Sequence, residues 1–347
     1  MQKTNVLAAV AFLSLIIGSP HGLQAQSSFY RDKTITIIVG TVPGGLYDLW
    51  GRLFSRIMGK YIPGNPGMVV QNMPGGGSMI AANYLSGVAK PDGLTIGMFQ
   101  THMYLQQLVR QPEVKFDVLK FNWLGSQEKG TMVLYIRGDS PYRSIDEIIK
   151  AKEPPKCGAT GLSDQTTLFT RLLEETVGAR FTHVLGYKGG SEVDLAMERG
   201  EIICRATRVT VHFSREPFLT WDKKGFDRHL VQAGDKRDPR LPDTPTILEL
   251  MDKYKTSEVG RRFARVILAG DELGRPMVAP PAVPLERVRI LREAYNKALK
   301  DPELLDEVKR SRLDMEPITG QEIEVLYKEL MDQPRAVVDL VKKLETN

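Results

Sequence analysis

The most constraining feature of the sequence is a repeated pattern of strand, glycine turn and helix between residues 35 and 101. An apolar, β-branched run at 35–39 ends at Pro43-Gly44-Gly45, and apolar residues then recur at helical spacing. The same order returns after a second run at 68–70, and a third apolar run follows at 94–99. Glycines at each change from strand to helix predict a βαβαβ unit, one half of an open and mainly parallel sheet.

The length of the chain, 347 residues, is large for one compact core and predicts two domains. A buried strand pattern begins near residue 132, and a turn-rich segment from 234 leads back toward the first domain. We therefore expect lobe 1 to comprise residues 26–130 and 234–347, and lobe 2 to comprise residues 131–233. A further strand is predicted at 266–269, and the helical pattern after 285 is expected to pack on lobe 1.

The N-terminus has the order of a secretion signal. Lys3 precedes an apolar stretch at 6–17, which is too short to span a bilayer, and Gly18-Ser19-Pro20 interrupts it before the small residue Ala25. We expect residues 1–25 to be a signal peptide that is removed, and the mature protein to be free in an oxidising compartment. The formal net charge of +5 is spread among acidic residues, without a basic stripe, which argues against a nucleic-acid partner.

The sequence contains two cysteines, Cys157 and Cys204. This number excludes metal sites built on several thiolates. In an exported protein the pair could form one disulfide, but a separation in sequence carries no geometric information. Because each cysteine lies at the end of an apolar run, we expect two buried free thiols.

Motifs for catalysis are missing from the sequence. The five histidines show no HExxH or His-x-x-x-His spacing, and neither a nucleophile elbow nor a Walker motif occurs. The sequence therefore predicts no metal site, no cofactor and no enzymatic activity, and it favours binding over turnover.

A third glycine turn, rich in hydroxyl groups, precedes the helical pattern that ends at Gly178. Free backbone amides and the positive end of a helix dipole suit such a turn to a carboxylate, but the turn alone favours simple capping of the helix by Ser163 or Thr166. Farther on, a short strand is expected at 202–204. Arg205 and Arg208 would lie beyond its end, where Arg208 suits either an anion or a surface salt bridge.

Several short motifs follow one another in a fixed order over nearly the whole mature chain. They are Val42-Pro43-Gly44-Gly45 with Asp48 and Arg52, Asn72 with Pro74-Gly75 and Gly77, Pro91-Asp92-Gly93 with Thr95, Tyr187-Lys188-Gly189, Leu241-Pro242-Asp243-Thr244-Pro245-Thr246, and Ala279 to Pro284. In this order the chain resembles the extracytoplasmic solute receptors of tripartite tricarboxylate transporters, the Bug family. The resemblance implies a type II periplasmic-binding-protein fold, in which two α/β lobes close on a small organic carboxylate.

The resemblance also implies which residues contact the ligand. The first strand–helix turn maps to the carboxylate anchor, and the second lobe contributes its own turn together with the Tyr187 segment. Tyr47, Gln100 and His102 are expected as wall residues, while the turn at 74–77 is expected to be framework. The predicted ligand-binding residues are Pro43, Gly44, Gly45, Leu46, Tyr47, Asp48, Gln100, His102, Thr160, Gly161, Ser163, Thr166, Tyr187, Lys188, Gly189 and Arg205.

Departures from the family pattern bear on the ligand. Leu46-Tyr47 replaces small hydroxyl residues and predicts a bulkier, more apolar wall. The second-lobe turn lacks the usual glycine–serine repetition. Ile203 stands where an acidic residue is common in the family, whereas Arg205 is present nearby. Loss of the acid beside this arginine suggests the hypothesis that the ligand carries a second negative charge or an aromatic ring.

The resemblance therefore implies a monomeric periplasmic receptor that delivers a carboxylate to the large and small membrane subunits of a transporter. One alternative is a receptor that reports to a sensor kinase. Another is an exported hydrolase that uses Ser163 with His183.

Overall fold

The computed structural model describes residues 29–162 and 164–346, so the predicted signal peptide and Ser163 lie outside the described residues. The strands are β1 (Thr34–Val39), β2 (Gly67–Asn72), β3 (Thr95–Met98), β4 (Asn122–Ser126), β5 (Met132–Arg137), β6 (Lys156–Gly158), β7 (Thr182–Val184), β8 (Cys204–Arg208), β9 (Asp227–Gln232), β10 (Met277–Ala279) and β11 (Ile318–Thr319). They form two sheets, a six-stranded sheet in the order β11-β4-β10-β3-β1-β2 and a five-stranded sheet in the order β7-β6-β8-β5-β9.

Helices cover both sheets. They are α1 (Leu46–Ile57), α2 (Met79–Gly87), α3 (Met103–Leu108), α4 (Ile145–Lys150), α5 (Gln165–Val177), α6 (Gly190–Glu198), α7 (Val209–His212), α8 (Phe218–Lys224), α9 (Ile247–Lys253), α10 (Glu258–Glu272), α11 (Leu285–Ala298), α12 (Pro302–Arg310), α13 (Gly320–Met331) and α14 (Arg335–Thr346). No helix among the described residues has both the length and the apolar character needed to cross a membrane.

The predicted βαβαβ unit is present. Strand β1 pairs in parallel with both β2 and β3, so the three strands present their carboxyl ends at one edge. Helix α1 buries Trp50, Leu53 and Phe54 on one side, as the helical spacing of its apolar residues predicts. Because the three strands are parallel, the turns that follow β1, β2 and β3 lie at the same edge of the sheet.

The two cysteines form a disulfide, so the expectation of free thiols was wrong. Strands β6 and β8 run parallel, and Cys157 pairs with Cys204 across them. Both residues are fully buried. Pairing of two strands that are distant in sequence brings the sulfur atoms together, and the spacing of 47 residues gave no sign of it.

Two strand predictions also need correction. Residues 266–269 lie inside helix α10, because Phe263, Val266 and Ile267 bury one helical face that a short apolar run cannot distinguish from a strand. Strand β8 begins only at Cys204 and continues through Arg208, so Arg205 and Arg208 lie within the strand. Residues 204–208 pair antiparallel with β5, which extends the strand beyond its apolar part.

The C-terminal helices divide between the two sheets. Helix α11 packs on the first sheet, where Arg292 donates to the Trp123 carbonyl over 2.8 Å. Helices α10 and α14 contact α5 of the second sheet; for example, Arg171 donates to the carbonyl of Leu344. The expectation that all the late helices pack on lobe 1 was therefore too simple.

Candidate ligand cavity

A cavity of about 600 Å³ lies between the two sheets. Its walls come from turns at the carboxyl ends of parallel strands: Tyr47 after β1, Gln100 after β3, Thr160 after β6, and Arg208 at the end of β8. Ligands of open α/β sheets bind at this edge. Of the predicted residues, five line the cavity: Tyr47, Gln100, His102, Thr160 and Gly161.

The glycine turn after β2, which we expected to be framework, also lines the cavity. Gly76 and Gly77 have φ values of +55° and +61°, in the left-handed region that favours glycine. The Ser78 hydroxyl donates to the Gly40 carbonyl over 2.9 Å and accepts from the Gln100 amide over 3.1 Å. Ser78 thus ties this turn to the ends of β1 and β3 and leaves glycine backbone facing a ligand.

Two buried arginines contribute positive charge to the cavity wall. Arg208 Nη1 lies 3.0 Å from Glu128 Oε1, and its Nη2 lies 3.4 Å from Asp271 Oδ1. Arg275 pairs with the same Glu128 oxygen and stacks 5.3 Å from the centre of the Tyr47 ring. Arg208 is buried, which removes the surface salt bridge that the sequence left open.

The two arginines retain hydrogen-bonding capacity. The Nε atoms of Arg208 and Arg275 are buried without a partner, as is Asp271 Oδ2. Burial lowers the pKa of Arg275 to about 10, which still leaves it charged at neutral pH. Two cations that are already oriented by carboxylates can meet an anion without reorganising.

His102 forms an uncharged part of the wall. Burial lowers its pKa more than the Asp271 carboxylate raises it. Its ring lies against Gly270, where an added Cβ would come within 2.4 Å of Nε2. The adjacent Thr101 hydroxyl donates to the Gly270 carbonyl over 2.5 Å. Helix α10, which contains Gly270, therefore holds this side of the cavity in place.

The turn of the second sheet is partly filled by a carboxylate of the protein. Asp164 caps α5 by accepting from the Thr166 amide over 2.8 Å and from the Thr160 hydroxyl over 2.8 Å. Thr166 does not line the cavity, because its hydroxyl bonds to the backbone of Ala206. Gln165 donates to Asp271 over 3.3 Å and so bridges the two walls.

The first strand–helix turn contributes less to the cavity than the resemblance implied. Pro43, Gly44, Gly45, Leu46 and Asp48 are not among the lining residues. The Asp48 carboxylate accepts from the Gly44 amide over 3.0 Å and from Arg52 over 2.9 Å, and Arg52 lowers its pKa to about 2. Leu46 packs instead on the apolar cluster of the second lobe.

The other predicted residues that the structure describes lie outside the cavity lining. Tyr187 packs on the same apolar cluster as Leu46, and the Lys188 amide donates to Glu192. Gly189 precedes helix α6 and likewise does not line the cavity. Arg205 forms a buried pair with Asp194 and donates to the Gly190 carbonyl over 3.0 Å. Arg205 therefore lies outside the cavity lining, with its charge compensated by Asp194.

Several residues of the cavity lining were not in the predicted set. They are Gly76, Gly77, Thr101, Met103, Gln106, Leu162, Asp164, Gln165, Arg208 and Arg275. The position of Arg208 near a predicted strand end was a usable signal, whereas Arg275 lies far along the chain in a segment that no motif marks.

Two α/β lobes with a cavity between them match the fold of solved periplasmic solute-binding proteins. Residues 64–344 match the family described as the tripartite tricarboxylate transporter family receptor, and the chain belongs to that family. The family consists of periplasmic receptors and not of enzymes. The predicted family, fold class and lack of enzymatic activity are thereby confirmed, which removes the hydrolase alternative built on Ser163 and His183.

Individual relatives agree with this assignment. The "UPF0065 protein in gbd 5'region" of Cupriavidus necator is 26% identical over 98% of this chain and 96% of its own length. A TctC solute-binding protein from Polaromonas superimposes with a TM-score of 0.67 at 20% identity and covers 90% of this chain and 99% of its own. A Rhodopseudomonas palustris protein solved with bound malate gives 0.64 at 19% identity and covers 89% and 99%, respectively.

Proposed function

We propose that this receptor captures a small organic carboxylate in the cavity between its lobes and delivers it to the membrane subunits of a tripartite transporter. One observation supports the ligand class above all others: Arg208 and Arg275 line the cavity, both are buried, and the Nε of each lacks a partner. A guanidinium matches the planar geometry of a carboxylate, and such pairs are among the stronger hydrogen bonds in proteins.

The charged residues place the anchor for an acid on one side of the cavity. Glu128 and Asp271 balance the two arginines, so the ligand enters a wall that is polar but nearly neutral. Asp164 occupies the α5 N-terminus, which leaves the arginine side as the anchoring side. The structural relative with bound malate makes a short dicarboxylate a natural first choice.

A ligand that binds to residues of both lobes would favour closure of the two lobes. Tyr47 and Gln100 come from the first lobe, whereas Thr160, Gly161 and Arg208 come from the second. A ligand that touches both sets stabilises the closed arrangement by contacts that an open arrangement lacks. The closed form is the one that a permease would recognise.

Two glycine variants test this site. Gly161 lines the cavity and a Cβ there meets nothing within 4 Å, so Gly161→Leu would fill the cavity without a clash at the first atom. Gly189 is equally open but lies outside the lining, so Gly189→Leu is the matched control.

The assay is a thermal-shift screen of the mature protein against mono-, di- and tricarboxylates, in which a ligand of the folded state raises the midpoint. We expect a shift in the wild type and in Gly189→Leu, and none in Gly161→Leu. A shift abolished by Gly189→Leu alone would move the site to the Tyr187-Lys188-Gly189 segment. Lack of any shift in the wild type would refute the ligand class. Uptake of the bound acid in cells with and without the permease genes then tests delivery.

A further inference from the structure

A second cluster of ligating side chains lies in lobe 2, away from the cavity. It consists of His212, at the end of α7, and of Asp227 and His229 on β9. Residues 227 and 229 are two apart on one strand and therefore face the same side of the sheet. None of the three lines the ligand cavity.

The ligating atoms of the cluster converge. His212 Nε2 lies 2.8 Å from His229 Nε2 and 3.1 Å from Asp227 Oδ2, and His229 Nε2 lies 3.8 Å from the same oxygen. Tetrahedral zinc with bonds of about 2.1 Å places its ligand atoms about 3.3 Å apart. The three distances bracket that value.

Several polar atoms of the cluster lack a hydrogen-bond partner within the protein. The side chains of His212 and Asp227 are fully buried, and neither Asp227 oxygen accepts a hydrogen bond, nor does His212 Nδ1 have a partner. A neutral imidazole carries a single N–H, and the 2.8 Å contact between the two Nε2 atoms uses the N–H of one ring, so at most Asp227 Oδ2 can receive a donor and Oδ1 has none. A buried carboxylate without donors is costly unless a cation compensates it.

We propose that His212, Asp227 and His229 bind one divalent transition-metal ion, of which Zn²⁺ is the representative. Imidazole nitrogen and carboxylate oxygen suit zinc and its neighbours in the first transition row. Three protein ligands leave a fourth position for water. The His229 side chain, 15% exposed, offers the route of entry.

The surroundings explain how the ion would be held. Phe213 and Phe218 pack against the His212 ring at 5.2 and 5.1 Å between centres, and Tyr135 packs at 4.9 Å. These aromatic rings fix the imidazole orientation and exclude water, which strengthens binding of a cation to a carboxylate. The ion would join α7 to β9, and α7 directly follows the cavity residue Arg208.

Metal uptake of the untagged full chain provides the test. The protein is stripped with a chelator, dialysed against Zn²⁺ and assayed for bound metal, with Co²⁺ as a probe whose visible absorption reports coordination. We expect one equivalent in the wild type. Loss of an outer-shell partner alone weakens metal binding by about 10–100-fold, so Asp227→Asn and His229→Gln should each lose more than about 100-fold in affinity.

The control is His183→Gln, which removes an imidazole on β7 that bonds to Thr170 instead. It should retain the full equivalent and the Co²⁺ spectrum. Circular dichroism and the carboxylate-induced thermal shift establish that the variants are folded. The proposal is overturned if the folded Asp227→Asn protein takes up as much Zn²⁺ as the wild type, or if the wild type takes up none.

Discussion

Arg208 Nη1 lies 3.0 Å from Glu128 Oε1, and the two side chains are only 6% and 3% exposed. Trp50 donates to the second Glu128 oxygen over 3.3 Å, and Arg275 pairs with the first. Glu128 is therefore the common partner that compensates charge on both cavity arginines. The buried carboxylate balances their charge in the absence of ligand and competes with the ligand for it.

Replacement of the Glu128 carboxylate should lower the stability of the fold but raise the affinity for the ligand. Glu128→Gln keeps the shape but removes the charge, and breaking a buried ion pair costs about 3–5 kcal/mol of unfolding free energy. The two arginines are then less compensated, so the carboxylate ligand should bind more tightly. Chemical denaturation and titration calorimetry measure the two effects, and weaker ligand binding in this variant would contradict the assigned role.

Replacement of an arginine should act in the opposite direction on affinity. Arg208→Lys preserves the charge but loses the planar fork, and a hydrogen bond to a charged group contributes about 1.5–3 kcal/mol. The affinity for the best carboxylate of the thermal-shift screen should fall roughly 10–100-fold by calorimetry. Arg289→Lys, at a position 53% exposed on α11, is the matched control and should bind normally.

The first strand–helix turn should contribute to stability in a manner that depends on pH. Arg52 lowers the pKa of Asp48 from 3.8 to about 2, so the folded state favours the ionised form. This contribution is complete above pH 3.8 and is lost as the pH falls through about 2. Urea unfolding at a series of pH values should show a stability difference between the wild type and Asp48→Asn that shrinks over this interval. An unchanged difference would mean that the Asp48 charge does not act on folding.

Removal of the disulfide should destabilise the second lobe. A cross-link of this kind typically contributes about 2–4 kcal/mol, and the double variant Cys157→Ala, Cys204→Ala should lose that amount in chemical denaturation. A reducing agent should destabilise the wild type and leave the double variant unaffected. Equal sensitivity of both proteins to the reducing agent would exclude the disulfide as the cause.

Patterns confined to short segments predicted much of the fold. The alternation of apolar runs and glycine turns specified β1 to β3 with α1 and α2, because local spacing and turn chemistry decide these elements. The prediction of a strand at 266–269 was wrong because the buried face of a long helix and a buried strand have the same apolar composition. The strand β8 was placed too early because its second half is stabilised by pairing with β5 and not by its own apolar residues.

The candidate site was less accessible to sequence reasoning. Tyr47, Gln100 and Gly161 follow strands, so their position was visible in the pattern. Arg275 lines the same cavity and Glu128 pairs with it, and no motif marks either segment. His212 and His229, 17 residues apart, meet only because α7 folds back on β9. Contacts between distant segments depend on tertiary packing, which a single sequence does not display.

The disulfide between β6 and β8 has a consequence for when the receptor becomes functional. Strand β6 leads into the turn of Thr160 and Gly161, and β8 ends at Arg208, so one covalent bond sets the spacing of two cavity walls. Cytosolic reductants keep thiols reduced, whereas the periplasm is oxidising and allows disulfides to form. Members of this receptor family act in the periplasm, so we expect this covalent link between β6 and β8 to form only after export.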